Sequence, residues 1–187
     1  NKFIESSFNK ALEIIDKIKC IGLINGPISK KTFLKGKYNG ITEYLAKKTG
    51  TKNPVMLIYN PKLSVSPFTT HIPLSEVSKK INKKLIISKI KKISKFYKNV
   101  LKKKPIFAVT GLNPHCESFK GENKEKKEII PAINYLKKNK INIYGPYASD
   151  TIFLKENIKK FDVVFGMYHD QVLAPIKTLY GFKAINI

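Results

Sequence analysis

The sequence has no arginine and no tryptophan, two cysteines, and no long unbroken apolar run. Each absence excludes something. Arginine supplies the bidentate contact to guanine and the planar clamp on phosphate, so a basic chain without it is poorly equipped to read nucleic acid. Cys20 and Cys116 are too few for a disulfide framework, which points to a reducing compartment, and a cytoplasmic location is expected. No stretch approaches the roughly 18 apolar residues a membrane helix needs, and no signal peptide's charged start and apolar middle is present, so no membrane partner is expected. The phosphate-binding P-loop and the Gly-x-Gly-x-x-Gly turn are both missing, which leaves the cofactor-binding residues unknown at this level.

What is abundant is lysine. All 36 basic residues are Lys, giving a formal charge of +23, and they are scattered along the chain beside Ile and Asn. That scatter reads as solvated helix faces in a protein from an AT-rich genome, not as one electrostatic stripe. A lysine-rich nucleic-acid-binding module remains the alternative of another class; it predicts binding with a steep salt dependence and no need for metal. At 187 residues and 42% apolar composition the chain can bury an ordinary core. It opens on Asn1 and closes in the strand-like run Phe182 to Ile187, so it is expected to be a fragment lacking both ends of a longer fold.

Helix-like and strand-like segments alternate, the pattern of an α/β protein with a largely parallel sheet. Phe8, Leu12, Ile15 and Ile18 predict a helix, followed by a strand at Cys20 to Ile24. A helix from about Thr42 to Gly50 precedes a strand at Val55 to Tyr59. The stripe Ile86, Ile90, Ile93, Tyr97 and Val100 predicts the longest helix, Leu85 to Leu101, ahead of a strand at Ile106 to Thr110. A further helix is expected over Glu125 to Lys138 with Pro131 in its first turn or kinking it. Strands at Ile141 to Ile143 and Val163 to Met167 follow, and the lysine-rich stretch Gly121 to Lys127 reads as a flexible surface loop.

The three histidines, His71, His115 and His169, all fall where strands should end. Ligands gather beyond the carboxyl ends of strands in α/β sheets, and imidazole is the commonest metal ligand near neutral pH. The bland alternative is that each histidine caps its own loop. Asp170 beside His169, and Asp150 in the turn Gly145 to Thr151, are carboxylates that can hold a histidine tautomer or move a proton. Asp150 can equally be a helix cap. Lys30 and Lys177 are cations able to meet an anion, though each is one lysine among many.

The segments Asn25-Gly26-Pro27-Ile28-Ser29-Lys30, Gly40-Ile41-Thr42-Glu43, Thr69-Thr70-His71-Ile72-Pro73-Leu74, Gly111-Leu112-Asn113-Pro114-His115, Gly145 to Thr151 and Met167-Tyr168-His169-Asp170-Gln171, with Pro175, Lys177 and Asn186, occur in this order across nearly the whole chain. Together they resemble the 4-hydroxythreonine-4-phosphate dehydrogenase family, PdxA. The resemblance implies an isocitrate/isopropylmalate-dehydrogenase-like α/β fold of two subdomains, with residues 1–25 in the first and 26–187 in the second. It implies a homodimer whose active site is shared across the interface, with a divalent metal on His71, His115 and His169. That metal is zinc, or else magnesium or cobalt. It further implies NAD or NADP as oxidant and Thr42, Lys177 and Asn186 against the substrate, with Asp150, Asp170 and Lys177 in catalysis.

The implied reaction is oxidation of 4-phosphooxy-L-threonine at its 3-hydroxyl with decarboxylation, in pyridoxal 5'-phosphate (vitamin B6) biosynthesis. Family members carry Gly-His-Thr-Glu where this chain has Ile41, which keeps 4-phospho-threonate, or a related phosphorylated hydroxy acid, as the alternative substrate. Cys116 stands where the family has Ala, as either an added thiol donor or a passive replacement.

Overall fold

Four residues spaced three and four apart, Ile86, Ile90, Ile93 and Tyr97, are all buried along one side of helix α5 (Lys83–Asn99), and Lys fills the other side. Each fully buried side chain of that size contributes about 2 kcal/mol. Asn82 starts the helix by accepting hydrogen bonds from the backbone N–H groups of Lys84 and Leu85. The computed structural model describes residues 1–18, 20, 22–38, 40–117 and 123–187, without the side chain of Lys30.

The described chain forms two compact units, Asn1–Lys52 and Asn53–Ile187. The break between them falls at Lys52/Asn53, whereas the subdomain boundary expected from the resemblance falls at 25/26.

The first unit is helical: α1 (Lys2–Ile18), α2 (Lys30–Leu34) and α3 (Ile41–Lys48). Phe8, Leu34 and Tyr44 are its core, with Phe33 and Tyr38 against the Tyr44 ring. The strand expected at Cys20 to Ile24 is absent at its described residues. Leu23 packs into the aromatic cluster while Ile24 is 98% exposed, and no strand is described in this unit for the segment to pair with.

The second unit is built on one six-stranded sheet in the order β4-β3-β5-β2-β1-β6. Its strands are β1 (Ile58–Tyr59), β2 (Ser64–Pro67), β3 (Phe107–Thr110), β4 (Ile143–Tyr147), β5 (Val163–Gly166) and β6 (Ile185–Asn186). The first four in that spatial order run parallel, and β1 is antiparallel to both of its neighbours. The helices are α4 (Leu74–Lys80), α5, α6 (Ile130–Lys138), α7 (Lys155–Ile158) and α8 (His169–Tyr180).

Alternation within the parallel strands sorts the core into two faces. Phe107, Val109, Val163 and Phe165 meet α5 and α6, whereas Ala108, Val65 and Val164 meet Val172, Leu173 and Ile176 of α8. Strands buried on both sides are what a parallel sheet under two helical layers requires.

The sequence reading left α2 unmarked in the first unit and three elements unmarked in the second. In β2 the interleaved Ser64 and Ser66 conceal the apolar pattern; both are buried and satisfied, with the Ser66 hydroxyl donating to the Met56 carbonyl at 2.7 Å. Helix α8 contains Pro175, which argues against a helix in sequence, and α4 is a short surface helix. The expected loop Gly121 to Lys127 is helical from Lys124, and Lys124 and Glu125 are buried; Gly121 and Glu122 lie outside the described residues. A π-turn at Glu125–Ile129 leads into α6 and delivers Pro131 to its first turn. Gly145, at φ 131°, lets β4 press on β3, because a Cβ there would strike the Val109 carbonyl oxygen.

Candidate functional site

The segments that follow the carboxyl ends of the four parallel strands carry, in spatial order, Asp150 after β4, His115 after β3, His169 and Asp170 at the start of α8 after β5, and His71 after β2. The expectation that the histidines sit beyond strand ends holds for all three. One strand insertion explains the juxtaposition: β5 lies between β3 and β2, so residues far apart in sequence share one edge.

His71 and His169 come together, their ring centroids 5.6 Å apart and tilted at 43°. His169 begins α8, and its Nδ1 lies 2.7 Å from Asp170 Oδ1. With the proton on Nδ1, that contact leaves the Nε2 lone pair facing outward as a donor to a metal.

His115 is exposed and holds a left-handed backbone at φ 54° in the short turn Pro114–Cys116. It does not join the other two: among the described residues of one chain, no three His, Cys, Asp or Glu side chains are grouped so as to hold a metal ion. One chain brings two of the three imidazoles together.

Asp150 is exposed in the turn after β4, and the helix beyond it starts only at Lys155 with Leu154 at the cap position, so Asp150 is not its cap. Its charge acts instead on Cys116. Burial pushes the Cys116 thiol up, a backbone hydrogen bond from Gly111 opposes this, and the carboxylates of Glu125, Asp150 and Glu117 push it further. Lys177 is exposed about two turns along α8 from His169, and Asn186 is exposed on β6, where it pairs with Ile58. Thr42 lies in the other unit, half-buried at the start of α3, whose backbone cap is Gly40.

Several residues given no role from sequence build the floor of this edge. Glu125, fully buried, accepts from the backbone N–H groups of Leu112 and Asn113 at 2.9 and 2.8 Å and from the Asn113 side chain, which shapes the Gly111–His115 loop. The Thr69 hydroxyl donates to the Met167 carbonyl, and Lys89 Nζ to the Phe68 carbonyl, both at 2.8 Å. Gln171 joins the Thr110 hydroxyl at the end of β3 to Gly111 just beyond it and to Met167 just beyond β5. Thr69 and Gln171 stood in the quoted motifs beside the histidines; nothing in the lysine-rich run around Glu125 announced it.

Comparison with known proteins then places the chain. The family model for the pyridoxal phosphate biosynthetic protein PdxA matches residues 1–187. A 4-hydroxythreonine-4-phosphate dehydrogenase of Sulfurihydrogenibium sp. is 40% identical over 184 residues, covering 96% of this chain and 56% of the relative. A D-threonate 4-phosphate dehydrogenase of Pectobacterium atrosepticum is 36% identical over 155 residues, covering 80% of this chain and 46% of the relative. The 1.25 Å crystal structure of a 4-hydroxythreonine-4-phosphate dehydrogenase from Klebsiella pneumoniae superposes with a TM-score of 0.74 at 32% identity, over 86% of this chain and 51% of that one. The chain thus spans about half the length of these relatives. With every one of its residues inside the family model and with the same sheet architecture, the chain belongs to the pyridoxal phosphate biosynthetic protein PdxA family.

Proposed function

We propose that this chain forms the metal- and substrate-holding part of a dehydrogenase that oxidises a small phosphorylated hydroxy acid at a secondary hydroxyl, with NAD or NADP taking the hydride. The observation that carries the reading is the His71–His169 pair beyond β2 and β5, with Asp170 on His169 Nδ1. The preferred substrate is 4-phosphooxy-L-threonine, whose 3-oxo product loses carbon dioxide on the way to pyridoxal 5'-phosphate.

His71, His169 and His115 hold the divalent ion, zinc or else magnesium or cobalt, with two copies of the chain contributing across a homodimer interface in the cytoplasm. Such an ion, when bound, would supply Lewis acidity at the substrate oxygen. Asp170 holds the His169 ring through Nδ1, which would leave Nε2 free to ligate. Asp150 takes the hydroxyl proton on a carboxylate oxygen, which burial does not hinder because the side chain is open to water. The Lys177 ammonium pairs with an anionic group of the substrate, and Thr42 and Asn186 hydrogen-bond to it.

A second reading keeps the chemistry and changes the substrate to 4-phospho-threonate. Two observations favour it: Ile41 replaces a family imidazole, and a D-threonate 4-phosphate dehydrogenase is among the relatives.

Metal content of the purified protein, beside His71→Ala, His115→Ala and His169→Ala, tests the site. About one divalent ion per chain, lost in each variant, is expected; retention in all three overturns it. Turnover of the two substrates by the full-length enzyme decides between the readings, and preference for the threonate removes the B6 assignment.

A further inference from the structure

Gln171 is 7% exposed in the first turn of α8. Its side-chain carbonyl accepts from the Met167 backbone N–H at 2.7 Å and from the Thr110 hydroxyl at 2.8 Å, and its Nε2 donates to the Gly111 carbonyl at 2.8 Å. The orientation of the amide is forced, because a backbone N–H only donates and a backbone carbonyl only accepts. Gly166 clears the way: a Cβ there would overlap Val172 and come within 3.0 Å of Gln171 Oε1.

Position gives these bonds their meaning. The paired register of β3 with β5 ends at Val109 and Phe165, so the two strands part just before the loops that carry His115 and His169. The Gln171 amide bridges the gap that follows, touching Thr110 and Gly111 on one side and Met167 on the other. Thr69 extends the connection to β2 through the Met167 carbonyl.

We infer that Gln171 is a positioning residue that sets where His169 and the Gly111–His115 loop stand relative to each other, and through them the affinity for a divalent cation. The inference rests on the reading of the histidines as ligands given above. Gln171 bonds to no histidine, so its loss acts through the two segments it joins, an effect of about two- to thirtyfold on metal binding.

The test pairs zinc titration of the purified protein, with Zn2+ alone as the probe, with hydrogen exchange of the metal-free protein followed by mass spectrometry. Gln171→Met keeps the volume and removes all three bonds. Thr110→Val removes one of them and serves where the first variant does not fold. Gln171→Met is expected to weaken zinc about two- to thirtyfold and Thr110→Val by less, with faster exchange confined to the segments around 110–116 and 167–171. Zinc affinity within twofold of wild type in the folded Gln171→Met variant overturns the inference. So does faster exchange spread evenly through the sheet, which marks a merely structural role. A wild type that takes up no zinc sinks the ligand reading instead, and the clamp then stands or falls on whether the loosening is confined to those two segments.

Discussion

Asp170 Oδ1 stands 2.7 Å from His169 Nδ1, while the Asp170 side chain remains 85% exposed. Removing an exposed carboxylate leaves no cavity, so the losses are its bond to the imidazole and its charge at the start of α8. Asp170→Ala is expected to weaken zinc about ten- to a hundredfold while costing at most about 1 kcal/mol of stability, and Asp170→Asn, which keeps an acceptor without the charge, to weaken zinc by less. Calorimetric titration of the variants checks this; equal affinities dismiss the orienting role.

Glu125 presents the opposite case, a fully buried carboxylate whose bonds are almost all to one loop. Glu125→Ala strands two backbone donors, each costing about 1–3 kcal/mol, so a loss of roughly 3 kcal/mol is expected from urea denaturation. Glu125→Gln retains one acceptor oxygen and should lose less than half as much. A surface-like effect under about 0.5 kcal/mol would contradict the buried placement.

Burial pushes the Tyr97 phenol up to about 12, and its hydroxyl donates to Ser64 at 2.8 Å. The folded state thus favours the protonated phenol, whereas the unfolded chain releases the proton near 10. Stability from this residue is fully present below pH 10 and is lost as pH rises toward 12, a change on the order of 2 kcal/mol. Tyr97→Phe should lose about 1 kcal/mol at neutral pH and be less sensitive to alkali than wild type, as chemical denaturation at pH 8 and pH 11 will tell.

The two cysteines should separate in reactivity. Cys20 is exposed, while Cys116 is partly buried and its thiol is held up by burial. Since the thiolate is the nucleophile, iodoacetamide at pH 8 should modify Cys20 several-fold faster in a mass-spectrometric time course. Faster labelling at Cys116 would mean that its surroundings stabilise the thiolate.

Sequence legibility followed periodicity. The stripe of α5 and the apolar strands β3 and β5 were readable because one rule, burial of one side or of both, governs every residue in them. β2 was not, because its serines are buried through hydrogen bonds to groups remote in sequence. The strand expected at Cys20 to Ile24 shows the converse error, since a short apolar run becomes a strand only beside a partner. The histidines were legible as strand-end residues, yet their spacing along the chain said nothing of which two meet. The strand order sets His169 between the other two, and only the folded loops pair it with His71.

The two-faced burial of the parallel strands has a consequence for how such a protein can change over generations. None of the candidate histidines or aspartates lies within a strand, and almost every residue of β2, β3 and β5 is spent on packing. Replacements at the loop ends therefore alter what is recognised while leaving the core's fit intact. Ile41 belongs to the helical unit and packs against its small aromatic core, so replacement there is limited by that core and not by the sheet.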